Sequence, residues 1–556
     1  MNNVSFKKRA KPTLTHKLHD LTHAPSIQPK ARQVNLGQGK RNVWIGTAAS
    51  SELRATYAPL FTNLIQATPS IEAERAVVVT KLRKQLITEC GETSPPSLAF
   101  ERWLLDSLLS EEMKEMKEVK DNNATITATV TSTVNDDTSS GDPLFGPLCR
   151  RTDLITSSLV SDLIRATISS KQALQIAQNL QTRAQNMMST CSISSSSSTS
   201  SSSVVVVYHR HTLDITFGKK SKRLLKLNHE HYRKLKSLWN LTRNGNNNNN
   251  QTSSSSSNNN NNNNEMDSAT ELIFHDHLFI MLSRYFAMQG HGFQAACPEN
   301  VFHILNQFLN VSFECFASPL NCYYGAYCSA FPDVDASFGS SGSFWKWEPP
   351  VEGGSFQANP PFVAIIMEKM AEKIIALLNQ EEENLQNDKT TRPLSFVVIV
   401  PGWLEDEGYA LMTSSKHKRA HWVIAQEDHG FCDGAQHQRR DRYRSSPYDT
   451  AVFILQNKKG ALKFPIQTEE VDVEMLIRQA FATGVPSDSA VARRKRDGRG
   501  FADEDGGGGV YKGKKRKKTG EGVQQRRKIE HQTKNKSNKN RKRKKRRKKK
   551  KEMNTE

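Results

Sequence analysis

Asn359, Pro360, Pro361 and Phe362 lie between the strand-like run SFQA and a stretch of helical periodicity, and their types suit one kind of chemistry. An aromatic amine is a poor nucleophile because its lone pair is delocalised into the ring, and a general base helps little because the amine is barely acidic. Two fixed carbonyl acceptors help more, since gripping both N–H bonds draws the nitrogen toward tetrahedral geometry and frees the lone pair. The side-chain carbonyl of Asn359 and the backbone carbonyl of Pro360 are suited to this, and the two prolines constrain the turn that aims them. Phe362 offers a face on which a flat base stacks, worth about 1–3 kcal/mol. The transferred group must then lie in line with the nitrogen, within about 3–3.5 Å, and no metal is required. Taken alone, N-P-P is also the composition of an ordinary turn, so its weight depends on the elements around it.

Presenting such a turn requires a strand that ends at it and a helix that leaves it. From Glu265 to about Gly484 the chain alternates strand-like and helical patterns. NVSFECFASPL, SFQANPPF, PLSFVVIVPGW and DTAVFILQN read as strands, and Ile366, Met370, Ile374 and Leu377 recur on one face of the segment after Phe362. Apolar strands with helices between them predict an α/β layer covered on both faces. Ligands of such sheets bind at loops leaving the carboxyl ends of strands, the place taken here by ECFASPLN, QANPPF and VPGWLEDEG.

Upstream the pattern is helical. TPSIEAERAVVVTKLRKQLITEC predicts a helix capped by Ser70, LAFERWLLDSLLSEEMKEMKEV a second with Phe100, Leu104 and Leu108 in register, and a third spans roughly Leu159 to Met188. SVVVVYHRHTLDITFG reads as a hairpin and NHEHYRKLKSLWNL as a helix. The resulting organisation is a disordered basic N-terminus (1–42), a helical domain (43–190), a Ser-rich loop (191–203), an α/β domain (204–485) with an Asn/Ser-rich insertion at 244–264, and a disordered polybasic tail (486–556).

Of the formal net charge of +21, nearly all belongs to the segment from Arg493 onward, with 28 Lys or Arg against 8 Asp or Glu. This excludes a generally basic, nucleic-acid-coated domain and describes a neutral globule with a polycationic appendage. The unbroken basic run Arg541 to Lys551 reads as a nuclear-localisation signal and a nonspecific RNA contact that weakens with salt. None of the eight cysteines forms a C-x-x-C pair or has zinc-type spacing to histidine, which predicts neither a disulfide nor a structural metal. The N-terminus has no apolar h-region and no stretch reaches the roughly 18 apolar residues of a membrane span, so the expectation is a soluble protein of the nucleus with no membrane partner.

The segment VSFECFASPLNCYYGAYCSAFPDVDASFGSSGSFWKWEPPVEGGSFQANPPF, followed in order by PLSFVVIVPGW, KHKRAHWVIAQEDHGFCDGAQH and RYRSSPYDTAVFILQN, closely resembles the catalytic core of the phosphorylated CTD-interacting factor family. The similarity is collinear over roughly Gly290 to Asn457. The resemblance implies an enzyme that uses S-adenosyl-L-methionine to methylate N6 of the 2′-O-methyladenosine beside the m7G cap of mRNA. It implies a Rossmann-like methyltransferase domain packed on an N-terminal helical domain, with a cap pocket near their junction. By the same carry-over, Asn359 and Pro360 accept from the target amine, Pro361 completes the turn and Phe362 stacks on adenine. Phe316, Ala317, Ser318, Pro319 and Asn321 would take the place of a glycine-rich donor loop; Asp333 or Asp335 is positioned for the donor ribose, and a solvated loop acid is an equal reading of either.

For the RNA, a methylated guanine is cationic and favours aromatic faces with an acid at its edge, which makes Trp403 and Glu405 candidates. Lys416, Lys418 and Arg419 are candidates for the triphosphate, and each of these five has an ordinary surface role as a competing reading. His421, His429 and His437 lack catalytic spacing. Better-known members carry an N-terminal WW domain that docks on the phosphorylated RNA polymerase II tail; nothing before Trp44 has the paired tryptophans of that module, so the polymerase tail is an expected partner only by another route. Alternative functions are N6-adenine methylation of DNA or internal RNA sites, and a non-catalytic RNA- or polymerase-binding scaffold.

Overall fold

The computed structural model describes residues 67–126, 142–194, 203–218, 224–247, 267–288, 291–387, 389–438, 441–468 and 471–496. The expected disordered N-terminus, most of the two low-complexity stretches and the tail from residue 497 lie outside the described residues.

The hairpin read from the sequence forms as β1 (Val204–Tyr208) and β2 (Thr212–Phe217), antiparallel, with β3 (Leu225–Asn228) added on the other side of β2. The second sheet is larger and mixed. Its strands are β4 (Val311–Ala317), β5 (Tyr327–Ser329), β6 (Gly354–Ala358), β7 (Leu394–Pro401), β8 (Lys418–Ile424) and, after a short pair β9 (Gly430–Cys432) and β10 (Tyr443–Ser445), β11 (Thr450–Gln456). Their spatial order is β5-β4-β6-β7-β11-β8. β5, β4, β6 and β7 are parallel to one another, and β11 runs antiparallel to both β7 and β8, so one strand of six is reversed. The chain leaves β4 toward β5 on one side and returns to β6 on the other, so the winding reverses between β4 and β6, the position at which carboxyl-end loops diverge and leave a crevice.

The apolar runs explain the burial. In β7, Phe396, Val398 and Val400 join a core that includes Ile366, Met370, Ile374 and Leu377 of the helix Ala364–Gln386, while Val397 and Ile399 join a second core with Leu305 and Phe481. Both faces are therefore covered, each fully buried Leu, Ile or Phe contributing about 1.5–3 kcal/mol. The first core continues into the upstream helices through Leu82, Trp103, Leu109 and Leu163. Gly353, immediately before β6, has φ 74°, and a Cβ there would lie 2.3 Å from the Pro393 carbonyl, so only glycine lets the chain enter β6 this close to the start of β7.

Two helical expectations need correction. The first helix is Pro69–Glu89, capped by Thr68 rather than Ser70: the Thr68 hydroxyl accepts from the Ile71 amide at 3.3 Å, and Pro69 occupies the first turn, where its missing N–H has no cost. The single helix read over 159–188 is two, Ser158–Arg165 and Ser170–Ser194. Thr167 adopts φ 68°, its amide and that of Ile168 turn back to the carbonyls of Ile164 and Leu163, and the Ser169 hydroxyl caps the next turn by accepting from Gln172. The second helix extends over Ala99–Ile126.

Candidate active site

Glu314 on β4 accepts from the amides of Tyr323 (2.7 Å) and Tyr324 (3.0 Å), folding the chain after β4 back under its own strand. Burial lifts this carboxyl to about 7, against the lowering effect of the two amides and of Lys234. The intervening loop is an Asn-closed turn: the Asn321 side-chain carbonyl accepts from the Ser318 amide at 2.7 Å and from its hydroxyl at 2.9 Å. Lys234, itself buried, donates to the carbonyls of Leu320 (3.2 Å) and Cys322 (2.6 Å) from below. The loop is thus shaped by side chains.

A second wall comes from residues 343–347. Lys373, on the helix after Phe362, donates to the carbonyls of Phe344 (2.9 Å), Trp345 (2.9 Å) and Trp347 (2.5 Å), and burial lowers its pKa. This sets Phe344 4.7 Å and Trp345 5.8 Å, centroid to centroid, from Phe316. A third wall is helical: Leu105, Leu108 and Leu109 of the helix Ala99–Ile126 face the same space, and Ser343 donates to Glu112 at 2.8 Å across it. Together these walls enclose a cavity of about 590 Å³ at the carboxyl ends of β4, β5 and β6, within the range usual for sites that take a small organic molecule.

Asn359 follows β6 directly and lines this cavity with Pro361. Its side-chain NH₂ donates to the Ala295 carbonyl at 3.3 Å, which fixes the amide so that its Oδ1 is buried with no hydrogen-bond partner. Such an acceptor is unfavourable unless a donor reaches it. Phe362 is half-buried, edge-to-face with Trp403 (6.4 Å) and Phe431 (6.4 Å), and Trp403 is in turn edge-to-face with the exposed Tyr448 (5.2 Å).

Of the other residues singled out in the sequence, Phe316, Ala317, Ser318, Asn321 and Asp333 line the cavity, whereas Pro319, Asp335, Pro360 and Phe362 are not among its lining residues. Asp333 is paired with the fully buried Arg284 (2.8 Å), which also pairs with Glu72. Glu72 continues to Arg75 and Arg75 to Asp142, a second cavity residue, so the ion chain begins and ends at the cavity and crosses the helix Pro69–Glu89. Asp335 is buried, accepts from Tyr285 at 2.6 Å and is lifted to about 7 by burial. Trp403 stands at the cavity end of the sheet with the exposed Glu405 two residues on. Lys416, Lys418 and Arg419 lie at the opposite end: Lys418 begins β8, a strand parallel to β6, and pairs with Leu455 near the close of β11. A seven-residue strand is about 20 Å long, so these bases are not brought to Asn359. His421 stacks on Phe453 at 4.2 Å, and His429 is tied to Ala425 and Thr450 at 2.7 Å each, both structural arrangements.

Sequence reasoning missed Gln294, Lys234 and Lys373. The two lysines sit in amphipathic helical patterns that give no sign of burial, and Gln294 precedes a helix with nothing nearby to mark it.

Over residues 234–434 the chain matches the model of a family described as the phosphorylated CTD interacting factor 1 WW domain. Two curated relatives named mRNA (2'-O-methyladenosine-N(6)-)-methyltransferase, from Homo sapiens and Mus musculus, are each 39% identical over 208 residues, covering 36% of this chain and 28% of theirs. The chain thus spans under a third of the length of the curated relatives it matches. The resemblance read from the sequence holds over this region, which contains β4 to β9 and every cavity residue contributed by β4, β5 and β6.

Proposed function

We propose that this chain is an S-adenosyl-L-methionine-dependent mRNA N6-methyltransferase that acts on the 2′-O-methyladenosine next to the m7G cap. The observation that carries the reading is the buried, unpartnered Oδ1 of Asn359 at the carboxyl end of β6, beside a cavity of about 590 Å³, in a region similar to enzymes of that name. The strand order and the single reversed strand support a Rossmann-like methyltransferase domain over 204–485, with the helices of 43–190 as a domain packed on it. The basic tail supports a nuclear location, and capped RNA and the polymerase tail are the partners in this reading.

The cavity's aromatic wall of Phe316, Phe344 and Trp345 and the acid Asp333 suit a donor that carries a flat base, a ribose and a cationic centre. S-adenosylmethionine, when bound, supplies an electrophilic methyl group on sulfur. Asn359 Oδ1 and the Pro360 carbonyl accept from the target amine and free its lone pair. Phe362 holds the adenine ring flat, and the walls from the helix Ala99–Ile126 exclude water. The amine nitrogen becomes positively charged as it gains the methyl group, and fixed carbonyl dipoles stabilise that charge as it develops.

The test is methyl transfer to a short m7G-capped RNA beginning with 2′-O-methyladenosine, compared with the uncapped RNA and with duplex DNA. Transfer is expected on the capped RNA alone, and Asn359→Ala is expected to reduce it by at least about 100-fold. Equal rates on capped and uncapped RNA, or transfer to DNA, would overturn the cap-specific reading; full activity of Asn359→Ala would overturn the role of that residue.

A further inference from the structure

We propose that Gln294 is a further acceptor for the target amine and a specificity-determining residue of the site, an inference that rests on the function proposed above. Gln294 closes the short helical turn His291–Gln294, is 9% exposed and lines the same cavity as Asn359. Its Oε1, like Asn359 Oδ1, is buried without a hydrogen-bond partner. The backbone beneath it is held from both sides. Asn321, from the loop after β4, donates to the Gln294 carbonyl at 3.0 Å, and Asn359, from the loop after β6, donates to the Ala295 carbonyl at 3.3 Å. A further anchor is the antiparallel bridge between Ala296 and Cys432. Gln294 is therefore fixed where the loop assigned to the donor and the loop assigned to the base meet, which is where the reacting nitrogen must lie.

Two buried, unpartnered carbonyl oxygens on residues that line one cavity call for a ligand rich in N–H. In the transfer, the amine lone pair forms the N–C bond while the C–S bond breaks with its electrons going to sulfur. The nitrogen then carries a positive charge until one of its two protons leaves to solvent. Carbonyls bind a charged N–H more strongly than a neutral one, so Gln294 stabilises the transition state more than the bound substrate. Two N–H bonds facing the carbonyls of Asn359, Pro360 and Gln294 are shared as three-centre bonds. The same cluster repels a base that presents a carbonyl at this edge, as guanine and hypoxanthine do.

The experiment compares wild type with Gln294→Ala, Gln294→Met and Gln294→Glu on m7G-capped RNA beginning with 2′-O-methyladenosine, with the RNA beginning with inosine, which has no amine to methylate, as a competitor. For Ala and Met the expected result is a fall in kcat of about 10- to 100-fold, with the donor KM and the oligonucleotide Kd by anisotropy within about twofold and the Tm close to wild type. Gln294→Glu is expected to regain transfer as pH rises through its own carboxyl titration, because only the ionised form offers acceptors alone; wild type lacks that limb. An unchanged kcat in Ala and Met, or a raised donor KM at unchanged kcat, would overturn the assignment. Wild type inactive on the capped adenosine RNA overturns the proposed function and this inference with it; an active wild type with unaltered variants overturns the inference alone.

Discussion

Asn359 spends its side-chain NH₂ on the Ala295 carbonyl, and that bond leaves its oxygen buried without a partner on a residue that lines the cavity. Glu314 lies on β4, the strand paired with β6. Burial lifts its carboxyl to about 7, so the folded protein binds that proton more tightly than the unfolded chain does. Stability from this group is therefore present at low pH and lost as pH rises through about 7. Asp335, lifted by burial to about 7 as well, acts in the same direction. Wild-type Tm is expected to fall between about pH 4.5 and about pH 7, and Glu314→Gln, which still accepts from Tyr323 and Tyr324, is expected to lose its share of that fall in a melting series. A pH profile as steep in the variant as in wild type would exclude Glu314 as the titrating group.

At the level of elements, the site is made of loops that would be soft without internal supports. Lys234, on a helix after β3, and Lys373, on the helix after Phe362, each donate to carbonyls of a loop that lines the cavity. Lys234→Met removes the ammonium that donates to the Leu320 and Cys322 carbonyls and is expected to cost about 2–4 kcal/mol in urea unfolding and to raise the donor Kd by about tenfold. A variant as stable as wild type, with an unaltered donor Kd by calorimetry, would show that the loop holds its shape alone. The sheet also separates candidates that adjoin in sequence: Trp403 leaves β7 at the cavity end, and the short helix Glu407–Ser414 carries the chain back so that Lys416 to Arg419 emerge at the other.

For the whole molecule, the cavity is shared between the sheet and the helix Ala99–Ile126, and the buried pairs Asp333–Arg284–Glu72 and Arg75–Asp142 tie the same parts together. The charge is distributed separately, concentrated after Arg493. Truncation after Arg496 is expected to weaken RNA binding and flatten the slope of log K against log salt, with kcat on a short capped RNA at low salt within about twofold of the full chain. Loss of that kcat in a methyl-transfer assay would show that the tail serves the chemistry itself.

The amino-acid sequence alone specifies the α/β pattern, since the apolar runs of β4, β7 and β11 and the one-sided periodicity of Ala364–Gln386 are local consequences of burial on both faces. It also determined the turn at Asn359, because two prolines after a strand leave the backbone few conformations. It misjudged the cap at Thr68 and the break at Thr167, which depend on single backbone groups rather than on hydrophobic period. That Asn321 closes its own loop, that Lys416 to Arg419 stand at the far end of the sheet, and that Gln294 lines the same cavity as Asn359 emerge from the folded chain alone. Those are relations between segments distant in sequence, set by strand order and by hydrogen bonds across loops, and no local pattern encodes them.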